Sequence, residues 1–395
     1  MNYSFKEAAC RKDTNAEKYR LREKLFGTED VEPVWVADMD IDTPDFVIDA
    51  IKKRLEHPVF GYEEMPRSAY EAQIDWLHRH HGIKYEVEDM LYSHSVVTSM
   101  RVAIKTYTDV GDNIIVQTPI YPPFFKSVID LDRKLLLNPL KQNDNGIYEF
   151  DIEDLKSKID ENTKMLMLCS PHNPVGRVWR KDELEQILQI CLEHNIVVFS
   201  DEIHSDLVYS PNKHIPFASL SERARDITVT TYGVGKTFNM AGFAISSVAI
   251  ANEKLREKFK DEHSKIHFAE GSTLSHVAYE AAYKNGDAWL EDLKVHLYEN
   301  YIYLDELCKK YPQFIKVVPI EATYLAWLDC RAMGLRDKQL REFFIKEAKL
   351  GLNAGISFGK AGSGFMRLNF AISSAKMSKI ISRLGTALEK KEKNG

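Results

Sequence analysis

The chain of 395 residues contains no run of about 18 apolar residues, so no membrane-spanning helix is expected. No apolar stretch follows the charges of the opening MNYSFKEAACRKD either, which argues against an export signal and places the chain in the cytoplasm. Its five cysteines (Cys10, Cys169, Cys191, Cys308, Cys330) are odd in number and far apart, and no CxxC occurs. A disulfide framework and a zinc site are both disfavoured, and a reducing compartment suits the pattern. Clustered positive charge is missing too. The net charge is -6 and only residues 390–393 are locally basic, so the footprint of a nucleic-acid binder is absent. HExxH is lacking as well: His78, His80 and His81 stand in HRHH without two facing i, i+4 ligands, and read as a solvated helix face rather than a metal site.

What is present is ordinary globular composition, 44% hydrophobic and 28% charged, at a length that implies two domains or one large core with an appended lobe. From residue 44 to 285, helical periodicity alternates with short apolar runs, the pattern of an α/β fold with a mostly parallel sheet wrapped by helices. Pro44 opens a helix after Thr43, with Val47, Ala50, Ile51 and Leu55 on one face. Leu184, Ile187, Leu188, Cys191 and Leu192 repeat at i, i+3, i+4, i+7 and i+8, and a buried strand follows at 196–199. Further strands are expected at 113–117, 165–169, 227–231 and 247–250, all pairing in parallel. Beyond residue 286 the pattern becomes a long helix (289–311), a strand (324–328), a helix (337–348) and a terminal helix (378–389). These elements, joined by residues 1–43, form a smaller α+β domain beside the large domain at 44–285.

Ligands bind beyond the carboxyl ends of parallel strands, where loops and helix N-termini converge. Directly after four strands come Pro119-Ile120-Tyr121, then SPHNPVG from Ser170, then Asp201-Glu202-Ile203-His204, then YGVGK ending at Lys236. Each cluster alone is ordinary turn or cap chemistry. Together, a Lys, an Asp, an Asn and a Tyr on neighbouring loops are the groups that a pyridine aldehyde cofactor requires.

These segments, with PVWVADMD at 33–40, HPVFGY at 57–62, GKTFNMAGF at 235–243 and FMRLNFA at 365–371, resemble the fold-type I pyridoxal-phosphate enzymes of the aminotransferase superfamily. Within it the chain is similar to the cystalysin and cystathionine β-lyase branch, over essentially its whole length. The resemblance implies that Lys236 carries pyridoxal 5'-phosphate as a Schiff base and moves the Cα proton. Asp201 would pair with the protonated pyridine nitrogen, Asn173 would hydrogen-bond the ring oxygen, Tyr121 would stack on the ring and His204 would line the pocket. Arg367 would grip the substrate carboxylate as a bidentate fork, closed over by the backbone of Ala37. Tyr62 would reach the phosphate of a second subunit, implying a homodimer with shared sites.

The phosphate end departs from the pattern. Relatives place serines one and three residues before the Schiff-base lysine; here Gly235 and Gly233 stand there, and Ala244 replaces an arginine. Anion binding then falls to the backbone N–H groups of Ser95, Val96 and Val97 at a helix start, and weak cofactor retention is expected. The implied reaction is α,β-elimination from L-cystathionine or an L-cysteine S-conjugate, since His204 stands where aminotransferases more often have Tyr; transamination is the alternative. Gly233-Val234-Gly235-Lys236-Thr237 imitates a P-loop, but Thr230 occupies its required first glycine. A regulatory binding protein on the same scaffold is the third reading, against which the intact Lys236, Asp201 and Arg367 set argues.

Overall fold

The computed structural model describes residues 3–267 and 271–394. Its centre is a seven-stranded sheet of Met90–Ser93 (β1), Asn113–Thr118 (β2), Lys134–Pro139 (β3), Thr163–Cys169 (β4), Val197–Asp201 (β5), Thr228–Tyr232 (β6) and Ser246–Ala249 (β7). The spatial order is β1-β7-β6-β5-β4-β2-β3. Strands β2 to β6 pair in parallel. Their residues read as unbroken apolar runs because helices cover both faces: Ile114, Met165, Leu166, Val198 and Val229 are wholly buried.

The strand expected at 247–250 is present as β7 but is antiparallel to both β6 and β1, not parallel. The reason lies in its connection. Between Tyr232 and Ser246 the chain makes only a short helix and turns, too little to cross back over the sheet, so it re-enters from the end it left. Two strands, β1 and β3, carry no clear sequence signal; β3 is a partly exposed edge whose Lys134 and Pro139 interrupt the apolar pattern.

The helices that concern the site are Asp45–Leu55 (α1), Arg67–His81 (α2), Val96–Tyr107 (α3), Lys181–Glu193 (α4), Val234–Thr237 (α5), Asp287–Lys310 (α6), Asp337–Lys346 (α7) and Ser374–Asn394 (α8). In α4 the expected stripe is the buried one: Leu184, Ile187, Leu188 and Cys191 face the core. In α1 only Val47 of the expected face is fully buried, and Leu55 is exposed. A second, antiparallel sheet has Lys316–Val317 (β8), Leu325–Asp329 (β9), Asn353–Ala354 (β10) and Phe365–Asn369 (β11) in the order β8-β9-β11-β10. Among the described residues no helix is long and apolar enough to cross a membrane.

The HRHH stretch ends α2 and is not a solvated face. His78 is exposed, but His80 stacks on Trp76 at 3.9 Å between centroids and meets Asp287 at 2.7 Å. The side chain of His81 is 5% exposed and lies 2.8 Å from Asp206. Helical spacing alone could not reveal this, because the carboxylates that draw the two rings inward come from distant segments, Asp206 from a turn and Asp287 from the start of α6.

Candidate active site

Three strand ends meet at one level. Cys169 of β4 lies opposite Asp201 of β5, and Asp201 opposite Thr231 of β6, so the loops leaving these strands open on a common cavity of about 180 Å³. Its wall includes Ala37, Ser95, Val96, Val97, Tyr121, Asn173, Asp201, His204 and Lys236. Arg367 joins it through Asn173, whereas Tyr62 lies outside it and is fully exposed.

The SPHNPVGR loop is shaped from behind. Gly176 has φ +70°, and a Cβ there would meet Ile320 at 3.0 Å and the carbonyl of Ala322 at 3.3 Å, so this close approach requires glycine. Arg177, buried, pairs with both oxygens of Glu183 at 2.8 and 2.9 Å and donates to the carbonyl of Tyr148. The fork anchors the loop so that Asn173 faces the cavity. Asn173 Oδ1 accepts from Arg367 at 3.0 Å, which leaves the amide N–H₂ as a donor for a ligand oxygen.

Asp201 is 5% exposed, and burial raises its carboxyl to about 7, against the opposing pull of the Ile203 N–H and Lys236. An acid of this kind is poised to ionise when a cation is placed beside it. Lys236 follows in α5. The half-buried amine is lowered to about 8, first by desolvation, with Asp38 pulling upward and Arg367 downward. Burial also holds His204 well below the ordinary imidazole value and Arg367 down to about 10.

Over this floor lies the strap 34–38. Asn369, the last residue of β11, accepts from the Ala371 N–H through Oδ1 at 2.8 Å and donates to the carbonyls of Val36 and Asp38, both at 2.6 Å. Ala37 is thereby presented with its carbonyl inward, where it accepts from Lys236 Nζ at 2.5 Å and from the Tyr324 hydroxyl at 2.9 Å. Arg367, two residues earlier on the same face of β11, donates to the carbonyl of Trp35 and to Asn353, and stacks over Phe358. Its Nε is buried and unpartnered among the described residues, as is Nδ1 of His204. Orphaned buried donors of this kind mark positions for a ligand. The set therefore fits pyridoxal phosphate and an amino acid: an amine for an aldehyde, a carboxyl for a ring nitrogen, an amide for a ring oxygen and a guanidinium for a carboxylate.

The family model described as aminotransferase class I and II matches residues 36–384. The chain belongs to this family. As a class I and II member it is 38% identical over 389 residues to the cystathionine beta-lyase PatB of Bacillus subtilis, covering 98% of this chain and 100% of that one. Cystalysin from Treponema denticola, whose structure contains pyridoxal 5'-phosphate, superposes with a TM-score of 0.95 at 34% identity over 99% of this chain and 100% of its own. The pyridoxal-phosphate-bound C-S lyase from Staphylococcus hominis does so at 0.90 and 33%, over 98% of each chain. Family membership displaces the P-loop reading; after Gly233, Val234–Thr237 form a four-residue helix rather than an anion loop leading into a long helix.

At the opposite end of this family member's cavity the observed groups are fewer. Ser95 caps α3, its Oγ accepting from the Thr98 N–H at 3.1 Å, so its hydroxyl is engaged and Val96 and Val97 present backbone. A Cβ at Gly233 would lie 3.1 Å from Ile203 and from Ser246, which explains the glycine there; at Gly235 the nearest atom is Ala241 at 3.5 Å, so nothing steric forbids a side chain. Sequence reading missed four contributors: His94, Ser246, Tyr324 and Asn369. Only Asn369 had a usable signal, its i, i+2 spacing from Arg367 within FMRLNFA.

Proposed function

We propose that this chain is a carbon–sulfur β-lyase that uses pyridoxal 5'-phosphate on Lys236 to convert L-cystathionine or L-cysteine S-conjugates, with water, to a thiol, pyruvate and ammonia. The observation that carries this reading is likeness over the whole chain to a cystathionine β-lyase and to C-S lyases, joined to a cavity that holds every polar group their chemistry needs. The bound cofactor supplies an electron sink for the pair released at Cα. Arg367 holds the substrate carboxylate, its unpartnered Nε–H offering the open donor while Nη1 is steadied by Asn173 and Nη2 by Trp35 and Asn353. Once the substrate amine has taken its place on the cofactor, the freed Lys236 amine would take the Cα proton and the thiolate would leave from Cβ. Asp201 would hold the ring nitrogen protonated, Asn173 would donate to the ring oxygen, Tyr121 would stack on the ring and His204 would border it.

The unit is a homodimer in this proposal. Tyr62 is fully exposed beside exposed Val59 and Phe60, yet the loop is ordered by Arg54, which donates to the carbonyls of His57 and Val59 and lies over Phe60. An ordered apolar protrusion suits a surface covered by a second copy, with Tyr62 reaching its phosphate end.

Pyruvate and free thiol release from L-cystathionine and S-alkyl-cysteines, with cofactor added, tests the function. Equal amounts of both, abolished in Lys236→Ala, are expected. Amino-group transfer to a keto acid without thiol release would instead make the chain an aminotransferase, the reading that the family's breadth keeps as second.

A further inference from the structure

The turn that carries Lys236 is gripped from three sides, and one grip comes from the loop that carries Asp201. Asn239, next but two after Lys236, exchanges hydrogen bonds with the segment that follows the strap: its Oδ1 accepts from the Met39 N–H at 2.9 Å, and its Nδ2 donates to the carbonyls of Met39 and Ile41. Phe238 packs edge-on against Trp76, 5.5 Å between centroids, and closely enough on Gly286 that a Cβ there would fall 2.3 Å from the ring. Thr237, immediately after Lys236 and wholly buried, donates from Oγ1 to Asp206 Oδ2 at 2.7 Å.

Asp206 stands five residues beyond Asp201 and two beyond His204. Its side chain is 7% exposed, and its other oxygen takes two further contacts, from Trp76 Nε1 at 3.0 Å and from His81 Nε2 at 2.8 Å. Both partners come from α2, and His81 is its last residue. A buried carboxylate so surrounded is held low, near 2, by His81, Thr237 and Trp76 against the effect of burial; Tyr283 is its other titratable neighbour. His81 in turn lies edge-on to His214, which binds the buried Glu202 at 2.9 Å, the residue following Asp201. The loop from 201 to 206 thus ends in a fixed anion that reaches across to the lysine turn.

We infer that Asp206 is a positioning residue: through Thr237 it sets the Lys236 amine at a fixed separation from Asp201, with His81 and Trp76 as the hydrogen-bond partners that keep the carboxylate in place. The lysine turn is a single helical turn, too short to hold itself. Its side chain must nonetheless meet an aldehyde whose ring is fixed at the far side by Asp201, and displacement by an ångström at such a junction is enough to slow reaction. One loop that supplies both the ring's partner and the lysine's anchor makes that distance a local property rather than one summed over the whole fold. The inference rests on Lys236 as the cofactor's attachment point, and holds for lyase or transaminase alike.

The test uses the full chain stripped of cofactor. Capture of added pyridoxal phosphate is followed by its near-ultraviolet and visible absorbance, and apo Tm is recorded for each variant. Thr237→Val, which keeps shape and removes the hydroxyl, is expected to weaken cofactor affinity about tenfold and slow capture, with Thr237→Ser restoring both to about the native level. Asp206→Asn, which leaves the neighbouring volume filled, should reproduce the Thr237→Val loss and serves if that variant does not fold. A Thr237→Val or Asp206→Asn protein that loses Tm but captures cofactor at the native rate, well below its Tm, would overturn the inference in favour of a purely structural role. Native protein that takes up no cofactor, or Lys236→Ala that gives the native spectrum, would instead remove the functional reading beneath it.

Discussion

The two ends of the cavity are built on different principles. At one end Lys236, Asp201, Asn173 and Arg367 are side chains brought from four separate segments, each pinned by a hydrogen-bond partner: Ala37 for the lysine, the Ile203 N–H for the aspartate, Arg367 for the asparagine, and Trp35 and Asn353 for the arginine. At the other end Gly233, Gly235 and Ala244 contribute no polar side chain, Ser95 is occupied in capping its helix, and what faces an anion is the start of α3. Side-chain charge in a dry site is strong and geometrically demanding; a helix terminus is weaker and tolerant. In the proposed function the chain would invest its specificity in the end that holds Lys236 and Arg367 and leave the phosphate to the backbone at the start of α3.

Breaking the first end should have the largest effect. Arg367→Ala removes a planar fork, and with two charge-assisted hydrogen bonds lost, about 4 kcal/mol, kcat/KM should fall about a thousandfold, chiefly through KM because the carboxylate is held in ground and transition states alike. Steady-state kinetics at saturating cofactor measure it; a loss confined to kcat would show that Arg367 acts on the reaction rather than on binding.

Next in size is the pH dependence of Asp201. Its folded value is raised from 3.8 to about 7, so the folded chain keeps a proton that the unfolded chain releases. The associated stability is fully present below 3.8 and is lost as pH rises through about 7. Urea unfolding of cofactor-free protein should show this decline, roughly 2 kcal/mol across the window once water in the cavity is allowed for, and Asp201→Asn should abolish it. Cofactor should abolish it too, because a ring cation beside the carboxylate removes the reason for holding the proton. A decline that persists in the holoprotein would separate Asp201 from the ring nitrogen.

The smallest effects should come from the anion end and would sharpen the contrast. Gly235→Ser has room for its Cβ and adds a hydroxyl at the cavity wall, so cofactor affinity should tighten by up to about tenfold. Gly233→Ser pushes on Ile203 and Ser246, and about 1–3 kcal/mol of stability should be lost without gain in affinity. Titration of apoprotein by absorbance distinguishes them. Equal affinities in the native and Gly235→Ser proteins would mean that the helix terminus already suffices.

Much of this site is legible in the chain because it sits where open parallel sheets place ligands, directly after apolar strands that announce themselves. Asp201 and Lys236 are found by counting forward from such runs. Tyr324 and His94 are not, since a tyrosine or histidine near a strand end has no spacing that separates lining from core. The HRHH histidines failed for a related reason: periodicity says which way a helix face points, but not that Asp206 and Asp287 wait there. Strand β7 failed because direction depends on where the preceding loop lets the chain turn, which no local pattern records.

By itself the sequence determined the strands β2, β4, β5 and β6, the helix α4 between β4 and β5, and which polar residues stand at the strand ends, because burial on both faces and turn chemistry leave local marks. Only the tertiary structure decided how those ends align in register, that Asn369 turns the Ala37 carbonyl onto Lys236, and that Asp206 holds the neighbour of that lysine. Such contacts join residues 31 to 333 positions apart. Their geometry is fixed by packing between elements, and packing is a property of the folded chain rather than of any segment within it.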